Sequence, residues 1–289
     1  MANAHNEWTD PVAYLRRALS EHQFALYCQP IAALSGVLLY PMAEILVRLR
    51  EEEAALLPPG DFLPVLEHYG MMAEFDRWVV REALHRLSTG PEIPRFSINL
   101  SAQTIADPRF PDFFAEETLA HRVPAENVVF EIDEHDAAAA PSSVRRLCAA
   151  VGSLGAGILI DGFGRQGRLA ALALPCVQYV KLHGSLTRNI ATDEDAVARV
   201  LQILRVASEL GIATIAECVE SDEVLARLSA IKVRYAQGFG ICVPQSIDLV
   251  AELPAMRLRS RPAAEAPLVP MQGRLDLTLN PREEATWAR

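Results

Sequence analysis

The sequence has no long apolar run and no basic stripe, and these two absences exclude broad classes of protein. No stretch of 18 apolar residues occurs, so no transmembrane helix is predicted. Residues 1–10 lack the basic and then apolar order of a secretory signal. Lys and Arg number 27 against 37 Asp and Glu, which gives a net charge of −10. This acidic balance argues against a protein that binds a nucleic-acid duplex.

Cysteine is also scarce, and its spacing carries no metal or disulfide pattern. The chain has five cysteines and no CxxC pair. An odd number without such spacing predicts free thiols in a reducing compartment, and therefore a cytoplasmic protein. Apolar residues make up 51% of the chain and charged residues 22%, which predicts a folded domain over most of its length.

Strand-like and helix-like segments alternate along most of the chain. The predicted strands are 24–31, 37–49, 95–100, 127–132, 157–161, 179–182, 213–217 and 235–241. The predicted helical stretches are 11–22, 61–87, 141–154, 193–210 and 221–230. Eight strands that alternate with helices over about 240 residues predict an α/β fold with a mainly parallel sheet, closed as a (β/α)8 TIM-type barrel.

A polar residue lies at or near the C-terminal end of seven of the predicted strands. These residues are Glu44, Asn99, Glu131, Asp161, Lys181, Glu217 and Gln237. In a barrel these ends meet at one mouth, where active sites are built. Three carboxylates and one amide among them are the all-oxygen ligands that Mg²⁺ or Mn²⁺ prefers. The pattern predicts phosphate-ester chemistry, with Lys181 placed to orient water and Glu217 as a general base or second-metal ligand.

One motif in the chain points elsewhere and is set aside. Residues 162–167 spell GxGxxG after a predicted strand, which is typical of dinucleotide-binding turns. The segment follows several strand–helix units, and the end of the next predicted strand has no acidic residue to hold a ribose. A dinucleotide-binding fold is therefore not predicted.

An ordered series of short motifs resembles the EAL family of cyclic-di-GMP phosphodiesterases, from about residue 13 to residue 246. In chain order the motifs are Tyr27-Cys28-Gln29-Pro30-Ile31, Glu44-Ile45-Leu46-Val47-Arg48, LPPGDFLP (57–64), FDRWVVREA (75–83), Asn99-Leu100-Ser101, Glu131-Ile132-Asp133-Glu134, Asp161-Gly162-Phe163-Gly164, Lys181-Leu182-His183, Ala216-Glu217-Cys218-Val219-Glu220 and Gln237-Gly238. The resemblance implies the EAL variety of the barrel, over residues 13–254. Residues 1–12 precede it, and residues 255–289, rich in Pro, Arg and Ala, follow as a flexible or partner-docking tail.

The resemblance also implies a role for each motif residue. The first metal ion, Mg²⁺ or Mn²⁺, would be held by Glu44, Asn99, Glu131 and Asp161. Lys181 would contact the nucleophilic water and Glu217 would serve a second metal. The ligand would be bound by Gln29, Arg48 and Gln237, with Glu134 in support. The family is often dimeric, so a homodimer is expected. Apart from the resemblance, a protein partner is also expected, and regulation through oligomerisation, residues 1–12, the tail or that partner stays open.

The chain departs from the family pattern near the second metal. Gly162 stands where active members have a second Asp, and Arg165 begins a loop that normally reads TGYSSL. His183 replaces the Asp of the KxD motif, while Ile45 and Cys218 replace smaller residues that we expect near the mouth. Loss of one metal removes several kcal/mol of transition-state stabilisation, which is ~10³-fold or more in rate.

Three hypotheses follow from these departures. In the first, the chain is a degenerate EAL domain that binds cyclic-di-GMP as a receptor, with weak or no phosphodiesterase activity. In the second, it is an active Mg²⁺- or Mn²⁺-dependent phosphodiesterase that yields pGpG, with an altered second metal site. In the third, it is a protein-interaction scaffold that binds no nucleotide. The arginines of the loop after Gly162 are candidates for binding the phosphates of the ligand.

Overall fold

The structure is a computed structural model that describes residues 10–35, 39–51, 55–165, 169–174 and 176–248. Its strands are β1 (Phe24–Ala33), β2 (Met42–Glu51), β3 (Ala55–Leu57), β4 (Phe96–Asn99), β5 (Val128–Asp133), β6 (Gly157–Phe163), β7 (Val177–Leu182), β8 (Ala213–Ala216), β9 (Tyr235–Ala236) and β10 (Gln245–Ser246). Its helices are α1 (Pro11–Ser20), α2 (Pro59–His68), α3 (Met72–Ser88), α4 (Ala102–Ala106), α5 (Phe110–His121), α6 (Glu134–Ala139), α7 (Pro141–Leu154), α8 (Gly184–Thr187), α9 (Glu194–Glu209) and α10 (Asp222–Ala230).

Eight of the strands close into a barrel. Hydrogen bonds connect them in the order β1-β9-β8-β7-β6-β5-β4-β2, and pairing of β1 with β2 closes the ring. The short strands β3 and β10 extend the sheet outside this ring, on β2 and on β1. The predicted (β/α)8 barrel is confirmed, since α-helices lie between all successive parallel strands except β6 and β7, where the described residues form a 3-10 helix at Leu169–Ala173.

The first strand runs against its neighbours, which the prediction of alternating strand–helix units did not anticipate. β1 is antiparallel to both β2 and β9, whereas β2, β4, β5, β6, β7, β8 and β9 pair in parallel. Only residues 34–41 connect β1 to β2. A connection of this length cannot make a crossover between parallel strands, which needs a dozen or more residues. The chain therefore turns back on itself.

The outer helices begin at capping side chains and bury one face. Asp193 and Ser221 accept hydrogen bonds from the backbone N–H groups of Ala196 and Val224, at the first turns of α9 and α10. The inner face of α9 buries apolar residues at helical spacing, among them Val200, Ile203 and Ala207. The predicted helices 141–154, 193–210 and 221–230 are confirmed within one residue at each end.

Two predicted strands have the wrong extent. β2 begins at Met42 rather than at 37, and residues 39–41 are not strand, because Pro41 has no N–H to donate to a ladder. The last parallel strand covers only Tyr235–Ala236 of the predicted 235–241. After it, the backbone N–H of Gln237 donates to Ala216, and the N–H of Val219 donates to Gln237, so two loops interlock where a longer strand was expected.

The predicted domain, residues 13–254, begins and ends close to the first and last residues that the structure describes, 10 and 248. Helix α1 begins at Pro11, within the predicted segment 1–12, and the predicted tail 255–289 lies outside the described residues. Among the described helices, none has the length and apolar character that crossing a bilayer would require. All five cysteines are free thiols, three of them buried, as predicted.

Candidate functional site

The barrel interior is built as an apolar layer beneath a polar layer. The apolar layer contains Ile31, Met42, Val129, Leu159 and Ile215, with Tyr179 and Tyr235 packed against it. In each of these parallel strands the residue two positions further on is polar, and side chains two apart share one face of a strand. The polar layer consists of Gln29, Glu44, Asn99, Glu131, Asp161, Lys181, Glu217 and Gln237.

Gln29 belongs to this layer although it precedes its apolar neighbour Ile31 in the chain. β1 is antiparallel to the rest of the barrel, so the mouth lies toward its N-terminal end. Glu44 is the third residue of the ten-residue β2, not near its C-terminal end as predicted. The remainder of β2 continues beyond the polar layer and pairs with β1 and the short β3.

Lys181 lies among three carboxylates at the centre of the polar layer. Its ammonium Nζ donates to Glu131 Oε2 at 2.6 Å and to Glu44 Oε2 at 3.0 Å, and it lies 3.7 Å from Asp161 Oδ1. The lysine side chain is only 2% exposed and Glu131 is fully buried. Burial of an unpaired ammonium is strongly unfavourable, so these carboxylates are what allow a lysine here.

The pKa values in this cluster follow from burial and from mutual attraction. Burial alone would lower the pKa of Lys181, but the surrounding carboxylates hold it well above its ordinary value. Burial, together with repulsion from Glu44, raises the pKa of Glu131 to about 8, although Lys181 opposes the shift. Burial alone would also raise the pKa of Glu44, but Lys181 and two side-chain amides lower it below its ordinary value. The cluster thus favours a charged lysine and an ionised Glu44.

Side-chain amides hold Glu44 in place. Asn99 Nδ2 donates to Glu44 Oε1 at 3.0 Å, and Gln237 Nε2 donates to Glu44 Oε2 at 2.8 Å. Gln237 also donates to Gln29 Oε1 at 3.2 Å, and Gln29 in turn donates to the carbonyl oxygen of Cys242 at 3.0 Å. This chain of bonds orients both glutamines toward the mouth and leaves the Glu44 carboxylate little rotational freedom.

Glu217 directly follows β8, the strand that pairs with β9. Its carboxylate accepts a hydrogen bond from the backbone N–H of Gly184, and burial with nearby Asp161 raises its pKa above the ordinary value. His183 does not take part in the cluster through a hydrogen bond of its own. Its ring nitrogen Nδ1 accepts from the backbone N–H of Ser185 and caps the short α8. The same nitrogen lies 2.9 Å from Ser185 Oγ, and the His183 ring is close enough to Glu217 to lower the pKa of its carboxylate in part.

A cavity of about 250 Å³ opens beside these groups. Four of the predicted residues line it: Gln29, Glu44, Glu217 and Gln237. Small-molecule sites typically have roughly 300–1,000 Å³, so a ligand of nucleotide size would also extend over the rim.

Arg48 lies on the same face of β2 as Glu44, about 13 Å further along the strand, and its guanidinium packs over the ring of Tyr27. It lines the approach rather than the cavity.

Two residues that the sequence analysis did not select also line the cavity. They are Arg188, which is largely exposed after α8, and Phe239, whose side chain is 66% exposed. An aromatic ring between Gly238 and Gly240, directly after the last parallel strand, was a signal that the sequence analysis passed over. Both residues lie on loops at the C-terminal end of the barrel, where binding residues concentrate.

Gly162 occupies an irregular place in the barrel. The pairing of β6 with β7 shifts between Ile160 and Phe163, so Asp161 and Gly162 together lie opposite Lys181. Gly162 has a φ of +65°, a left-handed conformation that favours glycine. A Cβ atom at this position would lie 3.2 Å from Arg165 Nη2 and 3.4 Å from Asp133 Oδ2. The guanidinium of Arg165 therefore lies beside the place of the missing side chain.

The two larger residues that the sequence places near the mouth behave differently. Ile45 is buried in the main hydrophobic core, since it alternates with Glu44 and points away from the mouth. The expectation that Ile45 crowds the mouth is therefore wrong. Cys218 does line the cavity, with a φ of +56°, and its Sγ would lie 2.7 Å from a Cβ atom at Gly184. Gly184 thus makes room for Cys218.

Comparison with known proteins agrees with this geometry. The EAL domain profile matches residues 12–244, which is most of the chain. The chain belongs to the EAL domain family. It is 31% identical over 254 residues to cyclic di-GMP phosphodiesterase PdeB of Shewanella oneidensis, and 30% identical over 259 residues to cyclic di-GMP phosphodiesterase PdeF of Escherichia coli. These alignments cover 86% and 87% of this chain but 29% and 34% of the relatives. The chain therefore spans about a third of their length.

Solved structures of EAL domains superpose on the chain. The FimX EAL domain of Pseudomonas aeruginosa bound to c-di-GMP has a TM-score of 0.77 at 28% identity, and covers 82% of this chain and 97% of its own. The PaMucR phosphodiesterase in its c-di-GMP complex has a TM-score of 0.76 at 26% identity, over 83% and 99% of the two chains. The match to almost the full length of both shows that residues 10–248 contain an entire EAL barrel.

The oxygen donors of this EAL domain suit a hard divalent cation. Phosphodiesterases of the family are in general metal-dependent. Glu131 Oε1 and Asp161 Oδ1 are buried without a hydrogen-bond partner, which is unusual for carboxylate oxygens and would be explained by coordination to a cation. Within the described ranges, however, no three His, Cys, Asp or Glu side chains are arranged to hold a metal. The Lys181 ammonium lies between the carboxylates of Glu44, Glu131 and Asp161, so a metal ion could bind between them only if the ammonium moved away. The metal site remains a prediction.

A buried carboxylate beneath the mouth orients the segment that follows Asn99. Asp76 in α3 is 3% exposed, and its Oδ2 accepts hydrogen bonds from Ser101 N at 2.9 Å, Ser101 Oγ at 2.7 Å and Thr104 Oγ1 at 2.6 Å. Burial raises the pKa of Asp76 although these bonds oppose the shift. The three bonds fix the turn between β4 and α4, and with it the last residue of β4, Asn99.

Glu134, predicted to support the site, is fully buried at the start of α6.

Replacement of Lys181 by Met is expected to lower the free energy of unfolding by about 3 kcal/mol, because three carboxylates lose their counter-charge. Millimolar Mg²⁺ or Mn²⁺ should stabilise this variant more than the wild type, since the same oxygens then face a cation without competition. Thermal and urea unfolding, each with EDTA or metal, measure both effects. The control is Lys232→Met, which removes the only other lysine, an exposed one. Equal stability of the two variants would contradict the central role of Lys181.

Replacement of Asp76 by Ala is expected to lower the free energy of unfolding by about 3 kcal/mol, because one buried donor on Thr104 and two partly buried donors on Ser101 lose their acceptor. Urea unfolding followed by circular dichroism measures the change. Glu116→Ala, on the exposed face of α5, is the matched control and should stay within about 0.5 kcal/mol of the wild type. Equal free energies of unfolding for Asp76→Ala and Glu116→Ala would contradict a stabilising role of Asp76 in this turn.

Proposed function

We propose that this EAL domain binds cyclic-di-GMP as a signalling receptor and hydrolyses it weakly or not at all. The observation that carries the proposal is a mouth that keeps its recognition groups but offers no side-chain oxygen at Gly162. Gln29, Glu44 and Gln237 are joined by hydrogen bonds around the cavity, while the second carboxylate of the family pattern is absent. Binding in complexes of FimX and PaMucR with c-di-GMP supports the choice of ligand.

The cavity and its rim offer complementary contacts to such a ligand. The exposed ring of Phe239 can stack on a guanine base, an interaction worth about 1–3 kcal/mol per base. Gln29 and Gln237 supply amide groups that pair with the polar edge of a base. Arg188 at the cavity and Arg48 on the approach supply guanidinium groups, which match the geometry of a phosphodiester. These contacts involve groups on four different loops or strands.

Hydrolysis would use the carboxylate layer. If a divalent cation were bound there, it would supply the Lewis acidity that such hydrolysis needs. In this chain Glu44, Asn99, Glu131 and Asp161 would hold one such ion, and Lys181 would donate a hydrogen bond that stabilises developing negative charge. Glu217, whose pKa is raised, would accept a proton from water. Because Gly162 has no side-chain oxygen, the chain would lack one carboxylate ligand for a second ion.

The second candidate function is an active phosphodiesterase that uses Mg²⁺ or Mn²⁺ and yields pGpG. The buried and unpartnered oxygens of Glu131 and Asp161 favour it, since they are suited to a first ion. A scaffold that binds no nucleotide has less support, because Ile45 faces the core rather than the mouth.

Calorimetric titration of the chain with cyclic-di-GMP, in EDTA and then in Mg²⁺ or Mn²⁺, tests the proposal together with an assay for pGpG. Binding without product is expected. Turnover at the rate of a known EAL phosphodiesterase run in parallel would establish the second function instead. No binding under any condition would overturn both and leave the scaffold. Phe239→Ala should weaken binding, whereas Val243→Ala, which replaces another exposed apolar residue, should not.

Replacement of Gly162 by Asp is expected not to restore full hydrolysis. The new side chain would start from a left-handed backbone, which costs ~1 kcal/mol, and it would meet Arg165 and Asp133 first. The pGpG assay in Mn²⁺ should therefore stay at least tenfold below a known EAL phosphodiesterase. Gly162→Ala separates the backbone strain from the effect of the carboxylate. Full recovery of activity in Gly162→Asp would show that one missing oxygen was the whole defect.

A further inference from the structure

Arg165 is held in a defined place at the rim of the mouth. Its Nη2 donates to Asp133 Oδ2 at 2.8 Å. Asp133 is the last residue of β5, two positions beyond Glu131 on the same face, and it lies in register with Asp161. Asp133 is itself fixed, because its Oδ1 accepts from the backbone N–H of His135 at the start of α6. The guanidinium therefore lies above the carboxylate layer rather than on a remote surface.

The absence of a side chain at position 162 is what admits this guanidinium. A Cβ atom on Gly162 would lie 3.2 Å from Arg165 Nη2, a tight contact before any carboxylate is added. A second Asp at this position and the observed arrangement of Arg165 would compete for the same space. The glycine and the arginine are thus two parts of one local change.

The charge balance of the mouth shows what such a cation would do. Glu44, Asp161, Glu217 and Glu220 are acidic, whereas the cations are Arg188 and Lys181, and Lys181 is already engaged by the carboxylates of its own layer. A phosphodiester that enters this mouth meets net negative charge unless a cation compensates. Arg165 is 49% exposed, so N–H groups beyond the one bonded to Asp133 reach solvent and can bind an anion.

We propose that Arg165, docked on Asp133 over Gly162, binds a phosphodiester of the ligand and supplies the positive charge that a second metal ion would otherwise provide. This inference rests on the proposed function. It assigns to the chain a mode of binding that needs no second ion. Asp133 acts as the positioning residue, because it sets the orientation of the guanidinium without contacting the ligand.

Calorimetric titration with cyclic-di-GMP in EDTA tests the assignment on the full chain. Arg165→Gln should raise the Kd about tenfold or more, since it removes a charge-assisted bond to phosphate. Arg165→Lys keeps the charge without the planar geometry and should give an intermediate Kd. Asp133→Asn should weaken binding less than Arg165→Gln. Arg205→Gln is the matched control, because Arg205 is 81% exposed on α9 and pairs only with Glu209 among the described residues.

The outcomes separate this inference from the proposed function. Wild-type binding together with a Kd for Arg165→Gln within twofold of the Arg205→Gln control would overturn the role of Arg165 alone. Wild-type binding that requires Mg²⁺ or Mn²⁺ would overturn this inference alone, whereas no binding in EDTA or in metal would overturn the proposed function and this inference together. A second readout is metal dependence: Mn²⁺ should tighten binding by Arg165→Gln more than binding by the wild type. Equal enhancement in both would also contradict the inference. Circular dichroism melting confirms that each variant is folded.

Discussion

The arrangement of the mouth depends on one buried ammonium. Lys181 joins carboxylates from β2 and β5, and lies close to a third from β6, in a place where none of these charges would be tolerated alone. The same lysine sets the pKa values around it and occupies the space between the oxygens that suit a metal ion. Under the proposed function, hydrolysis in addition to binding would require this ammonium to be displaced by a divalent cation.

The two layers of the barrel interior explain how a chain with such an acidic mouth folds. The apolar layer below contributes the burial that stabilises the barrel, and hydrogen bonds within the polar layer above it satisfy most of its side chains, although Glu131 Oε1 and Asp161 Oδ1 are buried without a partner. Asp76 repeats this logic outside the barrel, where three donors surround one buried carboxylate. In both places a charge that is costly to bury fixes the geometry of neighbouring groups.

In the proposed mode of binding, the change at Gly162 would replace one form of positive charge by another. A carboxylate at this position recruits a metal ion, whereas a glycine leaves space for the guanidinium of Arg165. A metal ion can activate water, but a guanidinium only binds and orients phosphate. The exchange would keep affinity for a phosphodiester and lose catalytic power, which is the difference between a receptor and an enzyme built on one barrel.

The local pattern of the sequence was sufficient for much of this molecule. The alternation of eight strand-like segments with helical segments predicted the barrel, and a polar residue at or near the end of seven of those segments predicted its mouth and most of the polar layer. The short connection 34–41 also contained the antiparallel direction of β1, although the strand count alone did not reveal it.

Only the tertiary structure decided which of these groups meet. Lys181 pairs with Glu44, 137 positions away in the chain, and with Glu131, 50 positions away. The contact of Arg165 with Asp133 beside Gly162, the burial of Ile45 away from the mouth and the place of Phe239 at the cavity were likewise set by the fold. The reason is that distances across a barrel depend on strand register, bulges and closure, which are long-range properties that no local stretch of sequence contains.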